Sequence, residues 1–164
     1  MKGEAMRLYF IRHGHAEDPQ GPEFDDFARR LTPKGIETTR ALGKLLQSVG
    51  VTPAMLYSSP RIRARQTADL LAKDLRATVA VRDEVNFGFN SAAVSGLING
   101  LDDNTDVLFI GHEPDLSLLV AELSGGVDVV MKKSGMARID LISREPIKGA
   151  LLWLLAPRLL EVMG

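Results

Sequence analysis

The 164-residue sequence predicts an α/β fold, a three-layer α/β/α sandwich around a mostly parallel central sheet. Two short runs without a polar residue, Leu8-Tyr9-Phe10-Ile11 and Val107-Leu108-Phe109-Ile110, have the length and composition of strands buried on both faces. Segments with apolar residues at helical spacing alternate with such strand-like runs. Helix-start signals stand between them, at Thr32-Pro33, Ser59-Pro60 and Pro114.

Residues 1–5 read as a flexible end, and the first strand follows at Leu8–Ile11. Thr32 is the expected N-cap of a helix that Pro33 opens, Ile36, Leu42, Leu45, Leu46 and Val49 form its apolar stripe, and Gly50 ends it. Ala54–Ser58 is a second strand. Ser59 as N-cap and Pro60 at the first helical position start a second helix, with Ala64, Ala68, Leu71 and Leu75 facing the core. Thr78–Val81 reads as a third strand, 83–92 as irregular chain and 93–99 as a short helix. After the strand at Val107–Ile110, Pro114 opens a helix whose face is Leu116, Leu119, Val120 and Leu123. Two more strands lie near Ala137–Leu141 and Leu151–Leu155, the latter a core strand carrying Trp153, and a short tail follows. With no repeat and no low-complexity linker, residues 1–164 are expected to form one domain.

Composition narrows the function classes. A formal net charge of -1 argues against a general nucleic-acid or membrane-surface binder. Without cysteine there is neither a disulfide framework nor a thiolate ligand or nucleophile. The longest apolar run, Ala150–Ala156, is far short of the roughly 20 residues of a membrane helix. The first five residues are too short and polar for a signal peptide. A cytoplasmic location is the expectation.

In an open α/β sheet the ligand site lies beyond the carboxyl ends of the strands. Three strand ends are followed here by Arg12-His13-Gly14, by Ser58-Ser59-Pro60-Arg61-Ile62-Arg63 and by Gly111-His112-Glu113-Pro114. Cations in the first turn of a helix oppose its dipole by ~0.3–1 kcal/mol each, so Arg61 and Arg63 there point to a bound anion. All three histidines, His13, His15 and His112, follow buried strands. Three imidazoles would suit zinc, or one would suit phosphoryl transfer with arginines neutralising the oxygens. Arg12 beside His13 opposes a dication, whereas guanidinium groups match phosphate oxygens bidentately. Phosphoryl transfer without metal or other cofactor is therefore the favoured chemistry. Ser58 and Ser59 read as turn and cap residues, and Glu113 as a turn residue or a rim contact.

Phe10-Ile11-Arg12-His13-Gly14 resembles the RHG motif of the histidine phosphatase (phosphoglycerate mutase-like) superfamily. Leu31-Thr32-Pro33-Lys34-Gly35, Ser59-Pro60-x-x-Arg63-Ala64-x-Gln66-Thr67 and Gly111-His112 are similar to three further motifs, in the family's order. The likeness is greatest to the small phosphohistidine phosphatases of the SixA type. The resemblance implies that His13 is the nucleophile and that Arg12, Arg63 and a protonated His112 clamp the phosphoryl group. Gly14 permits the tight backbone at the motif, and Gly14 and His15 line the phosphate site. Glu84, in Glu84-Val85-Asn86-Phe87-Gly88, matches the family's acid-bearing segment and is the candidate proton donor, with Glu17 and Asp18 as alternatives. Arg76–Thr105 leaves room for little beyond one short helix, so a shallow open site is expected. Such a site suits a phosphorylated protein, a histidine-containing phosphotransfer domain above all. A small phosphate ester is the alternative substrate, and a catalytically silent phosphoprotein-binding module the alternative of another class.

Overall fold

The computed structural model describes residues 4–163. Its centre is one six-stranded sheet: β1 (Arg7–Arg12), β2 (Pro53–Ser58), β3 (Val79–Val81), β4 (Asp106–Gly111), β5 (Met136–Arg144) and β6 (Ile147–Leu155), in the order β3-β2-β4-β1-β5-β6. The first four in that order run parallel, and β5 and β6 add an antiparallel hairpin beyond β1. Tyr9, Ile11, Leu108 and Ile110 point to one face, where α1 (Pro33–Ser48), α2 (Ile62–Leu75) and α5 (Pro157–Met163) cover them. Leu8, Phe10, Val107 and Phe109 point to the other, beneath α3 (Ser91–Ile98) and α4 (Asp115–Leu123). This is the α/β/α sandwich expected of strands that are apolar at every position.

Strand order decides where the three motif-bearing turns meet. β4 lies between β1 and β2, with Arg12 opposite Gly111 and Ser58 opposite Ile110, so their carboxyl ends are aligned. From these ends α1 and α2 leave to one face and α4 to the other. A crevice between β1 and β4 follows from that divergence.

Several local expectations are corrected. α2 begins at Ile62 rather than Pro60, and its N-cap position is Arg61, without a side-chain cap. Ser59 is thereby released from capping. α3 starts at Ser91 because Asn90 Oδ1 accepts from Ala93 N at 3.0 Å. The tail is a helix, α5, seated on α1 through Leu160. β6 is an edge strand: Leu152, Trp153 and Leu154 are 48%, 36% and 46% exposed, so Trp153 lies at the margin, packed on Tyr9 and Arg138. Of the segment expected to be flexible, residues 1–3 lie outside the described ones. Glu4 and Ala5 are engaged, Glu4 accepting from Asn104 and the Ala5 carbonyl from Arg7. Between β1 and α1 the chain makes an excursion whose ends are stapled by an antiparallel bridge of Ala16 to Leu31.

Phe109 is fully buried, with ring centroids 5.3, 5.6 and 5.5 Å from those of Phe10, Tyr57 and Phe89. Phe109→Ala is expected to lower unfolding stability by about 3–5 kcal/mol in urea titrations, through lost burial plus a cavity.

Candidate active site

His13 follows β1 directly and is 5% exposed. Its Nδ1 lies 2.7 Å from the carbonyl oxygen of Gly14. A carbonyl only accepts, so Nδ1 carries the proton and Nε2 keeps its lone pair. Arg63 Nε donates to that lone pair at 3.2 Å. The geometry is that of a neutral imidazole with its lone-pair nitrogen turned toward a guanidinium. Burial, opposed by the Gly14 hydrogen bond and assisted by Arg63 and Arg12, pushes the His13 pKa down to about 3.

Gly14 holds this arrangement by its smallness, not by a left-handed backbone. A Cβ there would stand 2.9 Å from Thr39 Oγ1 and 3.1 Å from both Gly35 O and Ser134 Oγ. Its N–H is donated to Thr67 Oγ1 at 3.0 Å and its carbonyl is used by His13, so both backbone groups serve to place the imidazole. Thr67 in turn donates to the Arg63 carbonyl one helical turn back.

His112, at the end of β4, is 2% exposed, and its ring centroid lies 5.3 Å from that of His13. Its Nε2 is hydrogen-bonded to Ser59 Oγ at 2.7 Å, and that oxygen also accepts from Arg61 N at 3.3 Å. Here lies the role of Ser59. Burial first, then His13 and Arg63, push the His112 pKa down to about 3. The expectation of a protonated His112 concerns a site holding a phosphoryl group; in the free site the neighbouring arginines oppose a further buried positive charge.

Arg12 donates through Nη1 to the Met131 carbonyl at 3.0 Å. Arg12 Nε and His112 Nδ1 are buried polar atoms with no hydrogen-bond partner among the described residues. A buried donor left so, as Arg12 Nε is, is uncommon, and an anionic oxygen satisfies it; His112 Nδ1 can donate only when that nitrogen carries a proton.

Sequence reasoning missed Asp26 and Phe87. Asp26, on a 3-10 turn (Asp26–Ala28), presents Oδ2 to Arg61 Nη1 at 2.7 Å and to Arg63 Nη2 at 3.3 Å, while Oδ1 meets Arg29 at 3.3 Å. Arg61 Nε donates to Asn86 Oδ1 at 2.8 Å, and its guanidinium carbon lies 3.9 Å from the Phe87 ring centroid. The Phe87 ring also meets His112 edge-on at 4.8 Å. Phe87 lies in the segment that Glu84 singled out, and its aromatic character was the available signal. Asp26 gave none: it is one acid among several in an aperiodic loop.

The remaining candidates stand apart. His15 Nδ1 is hydrogen-bonded to Thr32 Oγ1 at 2.8 Å, which ties it to the start of α1. Among the described residues no three His, Asp or Glu side chains gather as a metal-holding group. Glu84, exposed in a 3-10 turn (Asp83–Val85), makes no hydrogen bond or ion pair with another described side chain. Glu17 is occupied with the backbone N–H of Arg30 at 3.4 Å, and Asp18 is exposed. Glu113 accepts from Ser117 N at 2.9 Å, securing the first turn of α4. The stretch from Arg76 to Thr105 adds only the short helix α3 to the sheet and its turns. Even so, His13, Arg63 and His112 are each no more than 5% exposed, so the candidate site is recessed rather than shallow.

A neutral imidazole aimed at a cluster of guanidinium groups, with a second imidazole beside it, is built to take a phosphoryl group. The chain matches the model of the histidine phosphatase superfamily (branch 1) over residues 8–88. It is a phosphatase of SixA-like type. It is 29% identical over 159 residues to phosphohistidine phosphatase SixA of Escherichia coli K12, covering 93% of this chain and 94% of that one. A solved structure of the protein histidine phosphatase SixA with tungstate superposes with a TM-score of 0.83 at 27% identity, covering 94% of this chain and 99% of that one. The crystal structure of a proposed phosphohistidine phosphatase SixA from Agrobacterium tumefaciens gives 0.75 at 25%, covering 92% and 98%. No helix among the described residues is long and apolar enough to cross a membrane.

With both imidazoles at about 3, the unfolded chain, whose imidazoles titrate near 6.5, binds protons that the native state excludes between those values. Their contribution to stability is complete above pH ~6.5 and declines as pH falls toward 3. His112→Asn is expected to flatten the acid limb of the Tm–pH profile. A limb parallel to that of the wild type would show that His112 is not held neutral.

Proposed function

We propose that the protein is a metal-independent phosphatase that works through a phosphorylated His13 and dephosphorylates phosphohistidine on a signalling protein. The observation that carries the reading is the pairing of His13 Nδ1 with the Gly14 carbonyl, which leaves Nε2 as the nucleophile. In the first step a bond forms from Nε2 to phosphorus as the bond to the leaving group breaks. Water then attacks the phosphorylated imidazole and releases inorganic phosphate, regenerating His13.

Charge develops on the three phosphoryl oxygens, and Arg12, Arg63 and His112 supply the opposing charge. Arrival of a phosphate dianion reverses the electrostatics that keep His112 neutral, so His112 takes up a proton with the substrate and its free Nδ1 becomes a charged donor. His15 lines the approach from the start of α1. Glu84 is the candidate proton donor for an oxygen leaving group. An imidazole leaving group, with a conjugate acid near neutrality, makes a weaker demand on it.

Two features support a protein substrate. One relative of matching length is a phosphohistidine phosphatase, and among the described residues no inserted subdomain encloses the site. The deep recess of His13 also admits a small phosphate ester, which makes the substrate panel decisive.

His13→Ala should abolish turnover, a loss of at least about 10³-fold, with an unchanged circular dichroism spectrum and a melting transition that stays cooperative. Acid-labile label on the wild-type protein after quenching with a radiolabelled phosphodonor is the direct check. kcat/KM for a phosphorylated phosphotransfer domain should exceed that for sugar phosphates, and equal values would replace the protein substrate with a metabolite. Glu84→Gln should lower the rate on an alkyl phosphate by about 10²-fold and leave that on phosphohistidine nearly unchanged. Equal effects on both would remove Glu84 from the mechanism.

A further inference from the structure

Arg63 offers its donors in two directions. Nε and Nη2 form one side-on edge of the guanidinium, the edge that pairs with two oxygens of a phosphate. In the free protein this edge is divided: Nε donates to His13 Nε2 at 3.2 Å and Nη2 meets Asp26 Oδ2 at 3.3 Å. The same carboxylate oxygen holds Arg61 Nη1 at 2.7 Å. One acidic side chain thus sits on the donors of two arginines at the nucleophile.

We propose that the Asp26 carboxylate is an internal stand-in for the substrate's phosphoryl group, seated between Arg61 and Arg63 and expelled when phosphate binds. Two oxygens of the incoming group take Arg63 Nε and Nη2. That exchange frees the His13 lone pair for attack and releases Arg61 Nη1 as an additional donor. Asp26 is therefore a positioning residue: it keeps the arginines in place and sets the affinity for phosphate by competing for them.

The surroundings suit an exchange without movement of the main chain. Arg63 Nη1 donates to the Asp26 backbone carbonyl at 2.8 Å, an anchor that does not involve the carboxylate. Arg61 keeps its bond from Nε to Asn86 and its stacking on Phe87. The Asp26 side chain is 42% exposed, so its carboxylate has solvent to turn into, whereas the Arg63 side chain is only 4% exposed and stays in place. Asp26 belongs to a half-exposed surface turn, and Arg63 to the buried first turn of α2.

The proposal rests on the reading of His13 and Arg63 as the phosphate site, and the test separates the two. Binding of inorganic phosphate and of tungstate to the full-length protein is measured by titration calorimetry for wild type, Asp26→Asn, Asp26→Glu and Asp25→Asn. Asp25 carries the same charge one residue away and accepts from Phe27 N, so its variant controls for the general field. Asp26→Asn should bind phosphate about 3- to 5-fold more tightly, the upper scale of one partly exposed ion pair. Asp26→Glu should stay near wild type and Asp25→Asn within about 2-fold, the range expected of a solvated surface charge. KM for the substrate should fall with the phosphate dissociation constant in Asp26→Asn. Unchanged or weaker phosphate binding in folded Asp26→Asn overturns the proposal, as does equal tightening in Asp25→Asn. Should Asp26→Asn fail to fold, Asp26→Ser takes its place under the same criteria. Absence of phosphate binding to the wild type and to Asp26→Asn alike would instead refute the phosphate site itself.

Discussion

The bond from His13 Nδ1 to the carbonyl of the very next residue is the constraint around which the site is built. An imidazole free to rotate or to shift its proton presents a lone pair only part of the time, and a nucleophile must present it on arrival of the substrate. Fixing the ring requires fixing the Gly14 peptide, and neighbouring elements converge on that task. Thr67 on α2 receives the Gly14 N–H, and Ser134, just before β5, donates its N–H to the Arg12 and His13 carbonyls at 3.1 Å. The approach of Thr39, Gly35 and Ser134 leaves no room for a side chain at position 14. The middle residue of the motif is thus held by pieces of chain from three other regions, and its rigidity is a property of the fold.

Electrostatics in the recess follow from the same packing. Burial lowers the pKa of His13 and of His112 and also those of Arg12 and Arg63, although the guanidinium groups remain charged. A cluster of desolvated cations is costly when empty, and one exposed carboxylate, Asp26, offsets part of that cost. A doubly charged phosphoryl group offsets more. A preference for phosphate over a side-chain carboxylate, as proposed for this site, would rest on charge and on the number of oxygens presented.

Much of this was legible in the sequence because the determinants are local. Leu8–Ile11 and Val107–Ile110 are apolar at every position, and only strands covered on both faces need that. Thr32-Pro33 carries its own cap, with Thr32 Oγ1 accepting from Gly35 N. Residues placed just past buried strands, Arg12, His13 and His112, meet because parallel strands with aligned ends leave them no other place. What could not be read depends on partners distant in the chain. Ser59 looked like a cap, but its hydroxyl serves His112, 53 residues on. Asp26 meets Arg61 and Arg63, 35 and 37 residues away, from a turn without periodicity. Trp153 followed the rule that an apolar run lies inside, and that rule fails at the last strand of a sheet, which has a neighbour on one side only.

The bridge between Ala16 and Leu31 has a consequence for how such a chain can diversify. Glu17 N to Arg30 O, at 2.9 Å, reinforces it, and Gln66 on α2 accepts from Leu31 N at 2.8 Å. Everything between Glu17 and Arg30 thus hangs from a closed neck, while His13 sits on the sheet side of it. Doubling the length of such a loop adds only about 0.6 kcal/mol of closure entropy. Insertions, deletions and exchanges of that excursion can reshape what reaches the mouth of the recess while His13 keeps its place, so specificity and reactivity are free to evolve at different rates.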